Sequence, residues 1–141
     1  MIASIILKDG LATKGSLEAA SFAAALAEAA GTEAVAVVHG PLQGDGGLGA
    51  TGIKKVLHFA EALEDAGQIA RLTASASQGA AAVVIPHDAV GKAVAPAVAV
   101  HLGAGLISGV TALPQDGSVT RNVFSGKAMA NVEASTSQVV Y

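Results

Sequence analysis

Four short runs rich in apolar residues recur through the first 85 positions of the chain. They are residues 2–7, 34–38, 53–59 and 81–85. Each run is too short for a typical helix, and turn-forming or chain-breaking residues mark the end of two of them, at Asp9-Gly10 after the first and Pro86 after the last, so each run predicts a strand. Strands that are apolar on both faces are typical of parallel sheets covered by helices, and the pattern therefore predicts an α/β fold.

The stretches between and after these runs predict three helices. We expect Ser16 to act as the N-cap of the first helix and Gly31 to end it in a left-handed conformation. Residues 60–77 predict a second helix by propensity. Asp88 is the expected N-cap of a third, which should bend or split because Pro96 removes a helical hydrogen bond from its interior.

Beyond residue 105 the pattern changes, because turn-forming residues leave little room for helices. Four β-like pieces follow, at residues 106–113, 118–124, 128–133 and 138–141. We therefore predict one domain over residues 1–141. Its fold is a three-layer, mostly parallel Rossmann-like sheet with helices on both faces, ending in an antiparallel β-meander.

The composition narrows the possible functions. The chain is 52% hydrophobic and only 13% charged, and it contains no cysteine. The missing cysteines exclude disulfides and thiolate metal sites. A surface this poor in charge indicates either that a partner or another domain covers part of it, or that the source proteome is rich in alanine. Composition alone leaves both explanations open.

Charge and hydropathy also argue against two classes of partner. The net charge is −3, and the eight Lys and Arg residues are scattered, so no basic stripe indicates a nucleic acid ligand. No apolar run approaches the length of a membrane span, and the first residues show no signal-peptide plan. We expect a cytoplasmic protein that is not inserted into a membrane.

Two glycine patterns resemble phosphate-binding loops only in part. Residues 44–49 match Gly-x-Gly-x-x-Gly within a glycine-rich stretch at 40–52, but the next strand follows too soon for the helix that a dinucleotide site requires. A flexible loop is the favoured interpretation. The Gly-Lys pairs at 91–92 and 126–127 lack the upstream glycine and the following Ser or Thr of a P-loop.

Three histidines end or follow predicted strands, namely His39, His58 and His87. Ligands of open parallel sheets bind at the carboxyl ends of the strands, so these side chains could converge on a metal or a phosphate if the strand order brings them together. No serine or carboxylate arrangement predicts catalysis. We expect no catalytic, cofactor-binding or metal site within this chain.

A series of short motifs occupies the second half of the chain in a fixed order. The motifs are Ile-Lys-Lys-Val-Leu at 53–57, Pro-His-Asp-Ala-Val-Gly-Lys at 86–92, Pro-Ala-Val-Ala at 96–99, Gly-Leu-Ile-Ser-Gly-Val at 105–110 and Thr-Arg-Asn-Val-Phe-Ser-Gly-Lys-Ala at 120–128. Together they resemble the N-terminal domain of the electron transfer flavoprotein α subunit. The resemblance marks six positions as candidates for partner contact: Gly91, Lys92, Pro96, Arg121, Gly126 and Lys127.

The resemblance implies an adenine-nucleotide-hydrolase-like fold and an electron carrier, not an enzyme. It places FAD in a second α-subunit domain that would follow residue 141, and AMP in the β subunit, so this segment is expected to bind neither cofactor. The implied role is a scaffold that contacts the β subunit in a heterodimer. The whole assembly would carry electrons from acyl-CoA-type or other flavin dehydrogenases to a membrane quinone reductase, as in fatty acid β-oxidation in the bacterial cytoplasm.

Two positions depart from the pattern of the family. Ala97 stands where the family usually has Arg, and Gly109 stands where it usually has Asp. Both changes remove a charge, so we expect that an ion pair or interface contact is missing. The alternative function is a free-standing adenine-nucleotide-binding α/β module that uses the 40–52 loop and the strand-end histidines.

Overall fold

The computed structural model describes residues 1–141. The first half comprises strands β1 (Ile2–Ile5), β2 (Leu7–Lys8) and β3 (Leu11–Ala12), helix α1 (Lys14–Ala29), strand β4 (Val35–His39), a 3₁₀ helix (Leu48–Thr51), strand β5 (Lys55–Phe59) and helix α2 (Ala66–Ala76). The second half comprises strand β6 (Ala82–Val84), helix α3 (Ala89–Leu102) and strands β7 (Gly105–Leu106), β8 (Ser118–Val123), β9 (Ala128–Glu133) and β10 (Val139–Val140). The four strands and three helices predicted for the first hundred residues are thus confirmed.

Six strands form one sheet in the order β5–β4–β1–β6–β10–β7, and every neighbouring pair is parallel. From β1 the sheet grows through β4 to β5, and the chain then crosses to the other side of β1 to form β6. This change of direction is a topological switch point between β1 and β6. In open α/β sheets, such points leave a crevice at the carboxyl ends of the strands.

Helices cover the sheet on both faces, which confirms the three-layer α/β fold. Two clusters of 11 buried residues lie on opposite faces, one against α2 and α3 and the other against α1. Consecutive residues of β1 alternate between them: Ile2 belongs to the first cluster, and Ala3 and Ile5 belong to the second. This alternation explains why the strand is apolar apart from Ser4, which is itself buried.

The antiparallel part at the carboxyl end of the chain is a hairpin of β8 and β9. Of the four predicted pieces, 118–124 and 128–133 form this hairpin, whereas 106–113 is a strand only in β7 and 138–141 contributes β10. Both outer strands join the parallel sheet, with β10 between β6 and β7. The four-stranded meander is therefore corrected to a two-stranded hairpin, because β10 fills the position between two parallel strands.

The helix ends agree with the sequence in part. Asp88 caps α3 as predicted, its side chain accepting from the Gly91 N–H, and Gly31 follows α1 with a φ of +65°. The N-cap of α1 is Thr13 and not Ser16, which lies inside the helix. Of the bend or split predicted at Pro96, the split does not occur, because α3 continues through this residue.

None of these helices combines the length and apolar character that crossing a bilayer requires.

Candidate functional site

The crevice at the switch point is an open cavity of about 480 Å³, a volume typical of ligand sites. One wall is the first half of α1, which contributes Glu18 and Phe22. The opposite walls are residues 84–88, which continue β6, the loop at 109–111, and Tyr141 at the end of β10. The parallel sheet thus assembles this site from segments that are distant in sequence.

The crevice has apolar walls that also carry acidic and aromatic side chains. Glu18 and Asp88 supply carboxylates, and no Lys or Arg lies on its walls. The rings of Phe22 and Tyr141 pack at a tilt with their centroids 6.2 Å apart. Burial raises the pKa of the Tyr141 hydroxyl above its ordinary value, so this group is protonated at neutral pH. The crevice favours a flat or cationic group and disfavours phosphate.

A second, smaller pocket of about 240 Å³ lies beside α3 and shares its back wall with the crevice. Three of the six predicted contact positions, Gly91, Lys92 and Pro96, line this pocket together with Leu106 and Ser108. The spacing of Lys92 and Pro96 by four residues places both on the same face of α3. The structure therefore brings half of the predicted positions together.

Gly91 is required for packing between α3 and the end of β6. A Cβ atom on this residue would lie 1.7 Å from the Pro86 carbonyl oxygen and 2.9 Å from its carbonyl carbon. No side chain fits there, so the glycine lets the helix approach the strand end closely. Its function is this close approach rather than a turn.

The other three predicted positions lie on the β8–β9 hairpin. Arg121 points back to the body of the domain, where its Nη1 donates a 3.3 Å hydrogen bond to the Ser108 Oγ. Its Nε is shielded from solvent and has no hydrogen-bond acceptor. Gly126 and Lys127 lie at the exposed hairpin tip, where the Lys127 ammonium is 5.7 Å from the centre of the Phe124 ring.

The three strand-end histidines do not form one site. The His39 Nδ1 accepts from the Leu63 N–H at 3.3 Å, and the His58 Nε2 donates to the Gly40 carbonyl oxygen at 2.7 Å. His87 lines the crevice, with β1 between its strand and β4. No group of three or more His, Cys, Asp or Glu side chains is close enough to hold a metal ion. The hypothesis that these histidines converge is wrong.

In the glycine-rich loop at 40–52, the carboxylate of Asp45 binds backbone N–H groups of the same loop. Both Asp45 carboxylate oxygens accept backbone N–H groups, one from Gly47 and one from Gly49, each at 2.9 Å. These bonds hold the pKa of the exposed carboxyl below its ordinary value. The N–H groups that a phosphate would need are thus occupied, and the loop lines neither cavity.

Sequence reasoning missed Phe22, Ser108 and Tyr141 as lining residues. In the sequence pattern, Phe22 lies within the first predicted helix and Tyr141 ends the predicted strand at 138–141. One signal was available, because the chain has only three Phe and one Tyr. When two of these few aromatic side chains pack together, they indicate a ligand site. That Phe22 and Tyr141 are neighbours, however, follows only from the strand order.

Comparison with known proteins identifies a family for this chain. No curated protein matches the chain significantly. The family model described as electron transfer flavoprotein domain matches residues 6–141. Since the match spans nearly the entire chain, this protein belongs to the electron transfer flavoprotein domain family.

Proposed function

We propose that this chain is the N-terminal domain of an electron transfer flavoprotein α subunit and acts as a scaffold without a flavin site. The family match over residues 6–141 carries the proposal. The assignment to the α subunit rests on the motifs at 86–92 and 120–128. In this proposal the role of the chain is not catalysis but the positioning of the parts of an electron carrier.

The charge of the crevice supports the assignment of the flavin to another part of the assembly. FAD carries a pyrophosphate, which proteins hold with helix N-termini, glycine N–H groups or basic side chains. Here the crevice presents Glu18 and Asp88 without any Lys or Arg. The Asp88 carboxylate also accepts from the Gly91 N–H at 2.8 Å, which places an anion at the beginning of α3.

The β8–β9 hairpin is the surface that we assign to the β subunit. Phe124 is 77% exposed and Met129 is 72% exposed, although both are large apolar side chains. The hairpin pairs only with itself, so its two outer backbone edges have no strand partner. An apolar tip with open edges is typical of a contact surface, and it also carries Gly126 and Lys127.

The proposal extends to the other partners and the compartment. As part of a heterodimer, the domain would act in an assembly that holds FAD in a further α-subunit domain and AMP in the β subunit. Acyl-CoA-type or other flavin dehydrogenases would donate electrons, and a membrane quinone reductase would accept them. The sparse charge of the chain, at 13%, agrees with a surface that is covered by such neighbours in the cytoplasm of a bacterium.

Flavin absorbance and subunit binding test the proposal together. We expect the purified chain to be colourless and to release added FAD on gel filtration, and we expect a co-expressed β subunit to purify with it. A stoichiometric yellow flavin on the chain alone would contradict the scaffold role. Failure of every cognate β subunit to bind would contradict the subunit assignment.

A second candidate function is a free-standing adenine-nucleotide-binding module. The position of the crevice at the switch point, its volume of about 480 Å³ and its aromatic pair favour this alternative. Its carboxylates oppose it, because they repel the phosphates of AMP or ATP. If this function is correct, millimolar AMP raises the melting temperature of the isolated chain. An unchanged melting temperature would leave only the scaffold role.

A further inference from the structure

The two cavities at the end of β6 differ in charge although they share a wall. Ile85, Pro86, His87 and Tyr141 lie between them. The crevice has two carboxylates and no Lys or Arg, as described above. The smaller pocket has Lys92 and contains no Asp or Glu. The crevice therefore favours cationic ligands, and the smaller pocket favours anionic ligands.

The walls of the smaller pocket are mostly apolar. Its apolar lining residues are Ala95 and Pro96 of α3, Leu106 of β7, and Ile85 and Pro86 of the shared wall. A volume of about 240 Å³ is below the usual range for drug-sized ligands, so the space suits a molecule of a few carbon atoms. A strongly hydrated ion would leave most of its oxygens against these walls without donors.

Ser108 and Arg121 give this pocket a second polar element. Because the Arg121 Nη1 donates to the Ser108 Oγ, the hydroxyl hydrogen of Ser108 remains free to donate elsewhere. No carboxylate neutralises Arg121, since the ion pair of this chain joins Lys14 to Glu18. Gly109, which lines the crevice, lies beside the guanidinium, since a Cβ added there would make an ordinary van der Waals contact with Nη2 at 3.9 Å.

We propose that this pocket binds a small monocarboxylate with a short apolar chain. The Lys92 ammonium pairs with the carboxylate, and the Ser108 hydroxyl donates a hydrogen bond to it. Arg121 is a positioning residue that holds Ser108 through its oxygen. The apolar chain of the ligand lies against Pro96 and Leu106. The two ligand contacts, Lys92 and Ser108, lie outside the hairpin that is assigned to the β subunit, although Arg121 belongs to that hairpin. Butyrate binding and subunit binding can therefore fail independently.

Butyrate is the probe, and backbone amide NMR shifts are the measurement. Because Tyr141 borders the pocket, the chain is tested with a neutral Gly-Ser extension after this residue, which moves the terminal carboxylate away. We expect saturable shifts at Ala95, Leu106 and Ser108 with a Kd of about 1 mM, typical of so small a ligand. Butyramide, which lacks the charge, should bind about tenfold more weakly.

Variants separate a built pocket from general attraction of anions. Lys92→Gln should weaken butyrate about fivefold to tenfold and leave butyramide unchanged. Lys127→Gln makes the same change of charge at the hairpin tip and should have no effect. Arg121→Gln should weaken butyrate less than Lys92→Gln does, and the amide signal of Ser108 should shift in the free protein.

Three results would overturn the proposal. Butyrate that produces no saturable shifts excludes the pocket as a ligand site. Equal weakening by Lys92→Gln and Lys127→Gln means that butyrate responds only to net charge. Inorganic phosphate that binds as tightly as butyrate, at the same residues, contradicts the role assigned to the apolar walls.

Discussion

The Ser16 side chain joins the beginning of α1 to the backbone that follows β1, because its Oγ accepts a 2.8 Å hydrogen bond from the Ile6 N–H. The same hydroxyl lies 3.2 Å from the Ile6 carbonyl oxygen, to which it donates. Ser16 is fully buried. One side chain thus satisfies two backbone groups where the chain leaves the sheet.

Removal of this hydroxyl should be costly. Ser16→Ala leaves the Ile6 N–H without an acceptor, and we expect it to lower the free energy of unfolding by about 1–3 kcal/mol. Urea denaturation measures this loss. Ser21→Ala, the same substitution at an exposed position of α1, is the control and should change stability by less than about 0.5 kcal/mol. Equal effects of the two variants would mean that the Ile6 contact contributes nothing.

The error at Ser16 shows the limit of local sequence reasoning. Both Thr13 and Ser16 have side chains that cap helices, and a sequence pattern does not distinguish them. The choice depends on the partner of the second residue, which is the backbone of Ile6 ten positions away. The strands themselves were predictable, because β1 and β4 are apolar on both faces. The position of β10 in the sheet was not predictable, because a sequence of two valines does not indicate which strands will pair with it.

Gly91 should not tolerate a side chain. Gly91→Ala forces the new Cβ against the Pro86 carbonyl oxygen, so α3 or the end of β6 must move. We expect a loss of at least about 2 kcal/mol in the free energy of unfolding, the cost of overpacking. Gly15→Ala is a matched control in the first turn of α1, where the nearest atom, the Pro86 Cβ, would be 3.7 Å away.

The control should be neutral or stabilising by up to about 1 kcal/mol, because alanine favours the helix. If Gly91→Ala unfolds in urea at the same midpoint as Gly15→Ala, α3 does not approach Pro86 as closely as described. If both variants lose stability equally, the effect belongs to helix N-termini in general.

The candidate site was predictable to a smaller extent than the fold. Lys92 and Pro96 could be placed on one helical face from their spacing alone. Their position opposite Ser108 requires that β7 lie two strands from β6, with β10 between them. Arg121 reaches the same region from a hairpin whose orientation no local pattern encodes. Contacts across the sheet edge are tertiary, and a single sequence carries no direct signal for them.

Stability should fall when the pH falls below the ordinary pKa of histidine, because of His39. Burial lowers the pKa of this ring from 6.5 in the folded chain. Below about pH 6.5 the unfolded chain takes up a proton that the folded chain does not, so folding weakens as the pH decreases towards the lowered pKa. Above that pH both states are neutral and the contribution disappears.

Urea midpoints measured between about pH 5 and pH 8, the range in which histidine titrates, test this expectation. His39→Gln should make the urea midpoint less dependent on pH, since position 39 then has no ring to protonate. His101→Gln makes the same substitution at an exposed position near the end of α3 and is the matched control. A pH profile that is unaffected by His39→Gln would assign the dependence to another group.

The exposed tip of the β8–β9 hairpin should decide subunit binding. Phe124→Ser removes a ring that contributes little to the fold, because it is 77% exposed. We expect unchanged stability and at least a tenfold weaker affinity for the β subunit, since a buried aromatic anchor is worth more than about 1 kcal/mol.

Val100→Ser is the control: this side chain is 81% exposed, but it lies on α3. Calorimetric titration of the β subunit into each variant measures the difference. If only Val100→Ser loses binding, the contact surface lies on α3 and not on the hairpin. If both variants bind the β subunit equally well, Phe124 is not an anchor of the contact.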